Sequence, residues 1–345
     1  MLKSIFLIGF IPISLLFLLT LAVYLYYMRR AEKIEEKVSK RKLKSESEYD
    51  NFTVNNPYKY DGEYYKAQLH AHTQESDGKI AVADLIKSYK KKDYNFLAIT
   101  DHNKITINKD FDEESFITIS GEELTIINPF WPLGRHLNRL FINSKTNKNR
   151  LQDVDKILDG EGINIINHPA TISGLGTQRW DIDFLLNLNN ISFIEIANHF
   201  SKESSNIKYW HILLNKYGYQ KPIWALAVDD AHRLEDIDQN WIMVKTNNIS
   251  ANELKDALKR GSFYGTQGPK ANFNVQDNII TVNLDKEYEI KFINAGKKVV
   301  KKVNSKHNSY EVQGDEGFIR IEVIDHENKQ KLWSQPFWLA EKDEV

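Results

Sequence analysis

Six of the ten histidines in this 345-residue chain lie in short motifs, each at one end of an apolar, strand-like run, and carboxylates stand in or near several of them. The first motif is Leu69-His70-Ala71-His72-Thr73 and the last is Asp229-Asp230-Ala231-His232. Alternate residues of a strand face the same side, so His70 and His72 can reach one ion, and Asp230 and His232 repeat that spacing. Imidazole and carboxylate suit Zn, Mn or Fe. A donor set this large exceeds one tetrahedral sphere, so two or three divalent ions sharing ligands are expected. Only a fold that brings distant strand ends to one rim can use them.

Strand patterns over 64–69, 95–100, 116–120, 137–142, 163–167, 191–197, 223–228 and 241–246 are interleaved with helical ones over 82–91, 151–158 and 205–217. This repetition predicts an α/β architecture, either a parallel barrel or an open sheet, and both gather function at the carboxyl ends of strands. Ser250 and Glu253 form a capping box for a helix over 251–260, which Gly261 stops. Past Gly268-Pro269, alternation over 288–293, 317–324 and 331–339 predicts a small antiparallel β-sandwich. The boundaries that follow are 1–28 for an anchor, 29–60 for a basic stalk and linker, 61–269 for the α/β domain and 270–345 for the β-sandwich. A hydrophobic fraction of 41% is enough for both cores. Cysteine is absent, so any metal must sit on nitrogen and oxygen.

No charged residue occurs from Ser4 to Met28, a run long enough to cross a hydrocarbon core of roughly 30 Å. Tyr24, Tyr26 and Tyr27 suit the interface. A cleaved signal peptide is the rival, but the run outlasts the usual apolar region of about 7–15 residues and lacks a small-x-small site before Arg29. An uncleaved single-pass anchor in the cell membrane is therefore expected. The eight Lys/Arg of residues 29–44, against three Glu, lean towards a cytoplasmic catalytic domain. Residues 31–48 read as a solvated helical stalk, with Ile34 and Val38 spaced i, i+4, and 50–61 as a linker without strand or helix periodicity. Beneath an overall charge of −1 the rest of the chain is acidic, which argues against nucleic acid as the main partner.

The remaining motifs converge on the same chemistry. Ser76-Asp77-Gly78 is a turn whose carboxylate either caps backbone amides or ligates. Thr100-Asp101-His102 follows the strand over 95–100, with Asp101 placed to orient His102. Gly121-Glu122-Glu123 brings two carboxylates, His136 precedes the strand over 137–142, and Asn167-His168-Pro169 ends the one over 163–167.

Together these residues resemble the polymerase and histidinol phosphatase (PHP) superfamily, metal-dependent phosphoesterases on a distorted seven-stranded barrel, over about residues 64–269. Gly261-Ser262-Phe263-Tyr264, Gly268-Pro269 and the closing strands further resemble the CehA/McbA-type metallohydrolases. The resemblance implies that His70, His72, Glu123 and Asp230 hold a first ion, and that Glu123 bridges to a second held by His136 and His168. It also implies that Asp77, His102 and His232 hold a third. The family's Gly-x-Glu motif selects Glu123, while Glu122 stays open because one residue of register reverses the face.

The activity so implied is hydrolysis of a small phosphate mono- or diester through a metal-bridged hydroxide, with His199 as candidate general acid and Asn198 as the alternative residue facing the site. Arg135 and Arg179 are candidate phosphate clamps or solvated loop residues. Phe130 and Trp131 form an aromatic lid or a packed loop. Two alternatives remain: a carboxylic ester or carbamate hydrolase on the same metals, and a non-catalytic metal-stabilised binding module, which would need a closed coordination sphere.

Overall fold

The computed structural model describes residues 2–41, 43, 51–107, 109–127 and 134–341, with the side chains of 2–14, 16 and 175 left out. The architecture is mixed α/β around one large hydrogen-bonded sheet. α1 (Leu2–Lys40) leads to β1 (Phe52–Asn55), which pairs antiparallel with the final strand of the chain. The stretch read as a linker is thus partly strand; its hydrogen-bonding partner lies at the other end of the sequence, where local periodicity cannot point to it.

β2 (Glu63–Gln68), β3 (Phe96–Ile99) and β4 (Ile117–Ile126) lie parallel, with α2 (Val82–Lys90) crossing between the first two. β5 (Arg135–Leu140) runs antiparallel to β4 and to β6 (Ile163–Ile166). The connection from Ile126 to Arg135 is too short for a helical crossover, which takes a dozen or more residues, so the chain reverses. α3 (Val154–Leu158) precedes β6. β7 (Phe193–Ala197), reached through α4 (Ile182–Leu186), and β8 (Trp224–Ala227), reached through α5 (Glu203–Tyr217), resume parallel order after β6. The segments beyond β2 and β8 then meet: Ala71 bridges Ala231, His72 N–H donates to Ala231 O at 2.9 Å, and Asp230 N–H to His70 O at 3.0 Å. The two ends of the β2–β8 run are thereby joined at the rim that carries the histidines.

Both faces of these strands are covered. Phe96 and Ala98 of β3 pack with Ala67, Ile119, Phe193 and Leu226, whereas Leu97 and Ile99 pack with Leu85, Ile86 and Tyr89 of α2. Strands covered on both sides carry continuous apolar runs, the pattern that the sequence shows here.

β9 (Trp241–Thr246) adds antiparallel to β2, and α6 (Ala251–Arg260) follows with Ser250 Oγ accepting from Glu253 N and Gly261 left-handed at φ 72°, as its capping residues predict. β10 (Phe263–Thr266), β11 (Ala271–Gln276), β12 (Ile279–Asn294), β13 (Val299–Glu311), β14 (Phe318–Asp325), β15 (Gln330–Trp333) and β16 (Phe337–Glu341) complete the chain. Through the β9–β10–β15 pairing these strands continue the same sheet instead of starting a detached one. Their core includes Phe273, Ile290, Phe292, Ile321 and Phe337, with Val54 and Tyr58 contributed from β1 and its loop.

The transmembrane anchor requires correction. Among the described residues no helix is long and apolar enough to cross a membrane. The expectation of a single-pass membrane protein and of a cytoplasmic catalytic side falls with it; the part of the reading that rests on the side chains of 4–14 and 16 lies outside the described residues. The described end of α1 carries Arg29, Arg30 and three glutamates, and it buries Tyr27, Ala31, Ile34 and Val38 against the domain. Gly176, whose missing Cβ would stand 3.0 Å from Ala31 Cβ, permits that approach. Ile34 and Val38 are therefore packing residues, not part of a solvated stalk.

Candidate metal centre

His70 and His72 follow directly on β2, both fully buried with their Nε2 atoms 3.1 Å apart. β4 extends through Ile126, so Glu122 and Glu123 lie within the strand and alternate across it. Glu123 faces the rim histidines, while Glu122 turns to Arg139 of β5 at 2.5 Å. Five imidazoles surround the Glu123 carboxylate: His136 Nδ1 at 3.1 Å, His70 Nε2 at 3.3 Å and His168 Nε2 at 3.4 Å from Oε1, and His102 Nδ1 at 3.2 Å and His72 Nε2 at 3.3 Å from Oε2. Asp230 Oδ1 lies 3.2 Å from His70 Nε2 and 3.1 Å from His72 Nε2. Asp77 faces His232 Nε2 at 3.3 Å, His102 Nε2 at 3.5 Å and His72 Nδ1 at 3.6 Å. All nine expected ligand residues therefore converge.

Three donor groups stand within 4.8 Å: His70, His72 and Glu123; His102, Glu123 and His136; and His72, Asp77, His102 and His232. These groups differ from the expected partition: His102 stands in place of His168 beside Glu123 and His136, Asp230 falls outside the group of His70, His72 and Glu123, and His72 also joins Asp77, His102 and His232. His168 Nε2 meets the same Glu123 oxygen as His136 and His70.

The donor chemistry fits cations. His70 Nδ1 lies 2.6 Å from Glu195 Oε1, a contact that holds a proton on Nδ1 and turns Nε2 towards the cluster, where its lone pair would serve a cation that displaces a proton. That nitrogen faces another ring nitrogen and two carboxylates, and Asp230 Oδ1 and His72 Nδ1 have no hydrogen-bond partner. Acceptors so arranged repel one another unless positive charge lies between them. The His70–His72 separation and those from these two rings to Glu123 and Asp230 oxygens, 3.1–3.3 Å, match the tetrahedron edge of roughly 3.3 Å expected for ligands about 2.0–2.1 Å from an ion.

Burial pushes every group here towards its neutral form, and the facing charges reverse this for most. His70 and His72 hold the Asp230 carboxyl far below its ordinary range, and His136, His70 and His102 do the same for Glu123. Against burial, Asp230 and Glu195 raise the His70 imidazole, Asp230 and Glu123 raise His72, Glu123 raises His168, and Asp77 raises His232. His136 is the exception, pushed down to about 4 by burial in spite of Glu123.

Other candidates fall elsewhere. Asp101 does not orient His102: it accepts from Thr73 N and Oγ1, Ser76 Oγ and Thr106 Oγ1, tying down the loop that carries Asp77. His199 is half-exposed, 3.5 Å from Asp236, with the Phe200 ring packed edge-on against both it and His232. Arg179 is bonded to Glu35 of α1 at 2.7 Å, and Arg135 Nε donates to Arg179 O, so both are engaged away from the donor cluster. Phe130 and Trp131 lie outside the described residues. Residues not singled out as part of the site are Glu195, Asn167, whose Nδ2 donates to Glu123 Oε1 at 2.7 Å, and Gln178, 3.5 Å from His136. A charged residue inside the otherwise apolar 191–197 run was the available signal for Glu195. The cluster opens onto a cavity of about 210 Å³ whose remaining walls are Ser173, Gln178 and Phe200.

No family model matches the chain, and no curated protein matches it. Among solved structures it is similar to a two-domain protein containing a predicted PHP-like metal-dependent phosphoesterase from Bacteroides vulgatus, at 16% identity over 82% of this chain and 94% of that one, with a TM-score of 0.44. It is also similar to PsfC from Pseudomonas syringae, at 11% identity over 56% of this chain and 87% of that one, with a TM-score of 0.40. An amidohydrolase from Chromobacterium violaceum with bound sulfate matches at 13% identity over 48% of this chain and 87% of that one, with a TM-score of 0.34.

Proposed function

We propose that this chain is a metal-dependent hydrolase of the PHP type, with the β2–β8 run as a distorted seven-stranded barrel and residues 270–345 as an accessory β-domain. His70, His72, Glu123 and Asp230 would hold a first ion, Glu123 with His136 and His168 a second, and Asp77, His102 and His232 a third. The observation that carries the reading is the Glu123 carboxylate, 1% exposed and within 3.4 Å of five imidazoles. Divalent ions such as Zn, Mn or Fe, when bound, polarise an ester oxygen and make water nucleophilic near neutral pH.

The chain's own residues supply the rest. Glu123 and Asp230 keep their charge through their imidazole neighbours. His232 Nδ1 lies 2.9 Å from Asp230 O, an orientation that directs Nε2 towards Asp77. Ser173 and Gln178 offer donors to a substrate oxygen on the open wall, and the Phe200 ring shields the cluster from solvent. His199, beyond Phe200, reaches only a leaving group that projects from the cavity.

A small phosphate mono- or diester is the favoured substrate, because several clustered cations match its charge. A carboxylic ester is the second reading, favoured by the absence of Lys or Arg from the described cavity walls. Metal content of the purified full chain, with hydrolysis of aryl phosphate monoesters, diesters and carboxylic esters compared side by side, tests both. Metal-dependent phosphate release supports the first. A chain that takes up no metal, or hydrolyses none of the panel when loaded, sinks the enzyme reading.

A further inference from the structure

We infer that Glu195 is a positioning residue that presets the metal-binding face of His70 and, through Asn198, the carboxylate of Asp230; this rests on the proposed role of those two residues as ligands. Glu195 is fully buried inside β7, where a charged side chain is costly unless every lone pair is used. Both its oxygens are engaged. Oε1 receives the His70 Nδ1 proton at 2.6 Å, and Oε2 accepts from His168 N at 2.8 Å and from Asn198 Nδ2 at 3.0 Å. The same Asn198 amide reaches Asp230 Oδ2 at 3.1 Å, so one carboxylate touches or backs three ligand positions.

The local backbone is built for this. Register between β7 and β8 slips between Glu195 and Ala197, and such a bulge re-aims the side chains that follow, turning Asn198 to the side Glu195 faces. His168 at φ 26° and Asp230 at φ 56° both occupy left-handed backbone that non-glycine residues avoid. The bond from His168 N to Glu195 and the amide from Asn198 to Asp230 hold them there. Without Glu195 the His70 proton is free to sit on Nε2 and bond to Glu123 or Asp230, which would block the coordinating lone pair.

Full-length wild-type, Glu195→Gln and Asn198→Ala chains, labelled in their imidazole nitrogens, provide the test. Wild type should show a far-downfield Nδ1 proton with or without zinc, assigned to His70 by its loss in His70→Asn. Glu195→Gln should keep the wild-type circular dichroism, lose that proton and bind zinc about 10–100-fold more weakly in competition with a chromophoric chelator. Asn198→Ala should keep the proton and lose a few-fold in affinity. Wild-type zinc affinity in Glu195→Gln, or persistence of its proton, overturns the inference. If Glu195→Gln does not fold, absence of the proton from wild type does so. If wild type takes up no zinc, the hydrolase proposal fails while the proton signature still decides the placement of Glu195.

Discussion

Glu122 and Glu123 leave β4 on opposite faces, the first 2.5 Å from Arg139 and the second among five imidazoles, so neighbouring carboxylates of one strand serve different ends. Glu123→Ala should abolish metal uptake. Glu122→Ala should retain it but lose about 3–5 kcal/mol of stability, because the buried Arg139 would be left without its counter-charge. Elemental analysis and urea unfolding of the two variants check this; equal metal loss in both would contradict it.

Metal removal should destabilise the fold beyond its effect on activity. Glu123 and Asp230 are fully buried acids whose charge is otherwise balanced only by imidazoles. Chelation should lower Tm, and zinc should raise it by an amount that grows with concentration, reaching about 2.7 kcal/mol when free metal is 100 times Kd. A melting curve indifferent to chelator and zinc would count against a site in the native state.

The legible and illegible parts of the molecule divide along a physical line. The convergence of His70, His72, His168 and Asp230 was legible because each stands just past a strand end, and α6 because Ser250, Glu253 and Gly261 carry its boundaries locally. β13 was not, since none of its side chains is fully buried and its Lys-, Asn- and Ser-rich sequence carries no apolar alternation. β1 depends on a partner at the other end of the chain, and the reversal at β5 on a connection length. The apolar start of the chain was read from hydropathy alone, whereas Glu35, Ile34 and Val38 show the described end of α1 serving as a packed element. Glu195 stood out only as a charge within an apolar run; its role was not legible because His70 and His168, which it holds, follow β2 and β6 far away in sequence.

His211 should make stability sensitive to mild acid. It is buried between α5 and the C-terminal strands, with Nε2 2.9 Å from Ala295 O and Arg320 Nε 3.4 Å from Nδ1. Burial, with the positive Arg320 and Lys297, pushes its imidazole down to about 3. Because the unfolded chain accepts the proton near its ordinary pKa of about 6.5, the stability this neutral ring contributes is present above that pH and drains away towards pH 3, at most about 1.4 kcal/mol per unit. His211→Gln should show a shallower loss of unfolding free energy between pH 6.5 and 4. Parallel curves would rule His211 out as the source.

Glu35 ties α1 to the wall of the cavity. Its carboxylate accepts from Arg179 at 2.7 Å, Lys208 at 3.2 Å and Ser205 at 3.3 Å, and Arg179 adjoins Gln178. Glu35→Ala should cost about 1–2 kcal/mol and speed amide exchange over 173–180 while leaving β2 and β3 protected. The exposed Lys37–Asp183 pair, at 2.8 Å, is the control: Asp183→Asn should cost under about 0.5 kcal/mol. Unchanged exchange over 173–180 would mean that α1 does not brace the cavity.

Gly78 should govern one donor group without disturbing the others. A Cβ built there would stand 2.7 Å from the carbonyl carbon and oxygen of His72 and 2.8 Å from Thr73 N, backbone atoms fixed by the His72–Ala231 hydrogen bond. The strand cannot yield, so Gly78→Ala must displace the 76–78 turn and draw Asp77 away from His102 and His232. His70, Glu123, His136, His168 and Asp230 stand on other segments and keep their places. The expected outcome is a chain that still binds metal tightly through those residues but loses the ion proposed for Asp77, His102 and His232, read as a drop of about one equivalent in metal content. Loss of all metal would show instead that the donor groups fill only together.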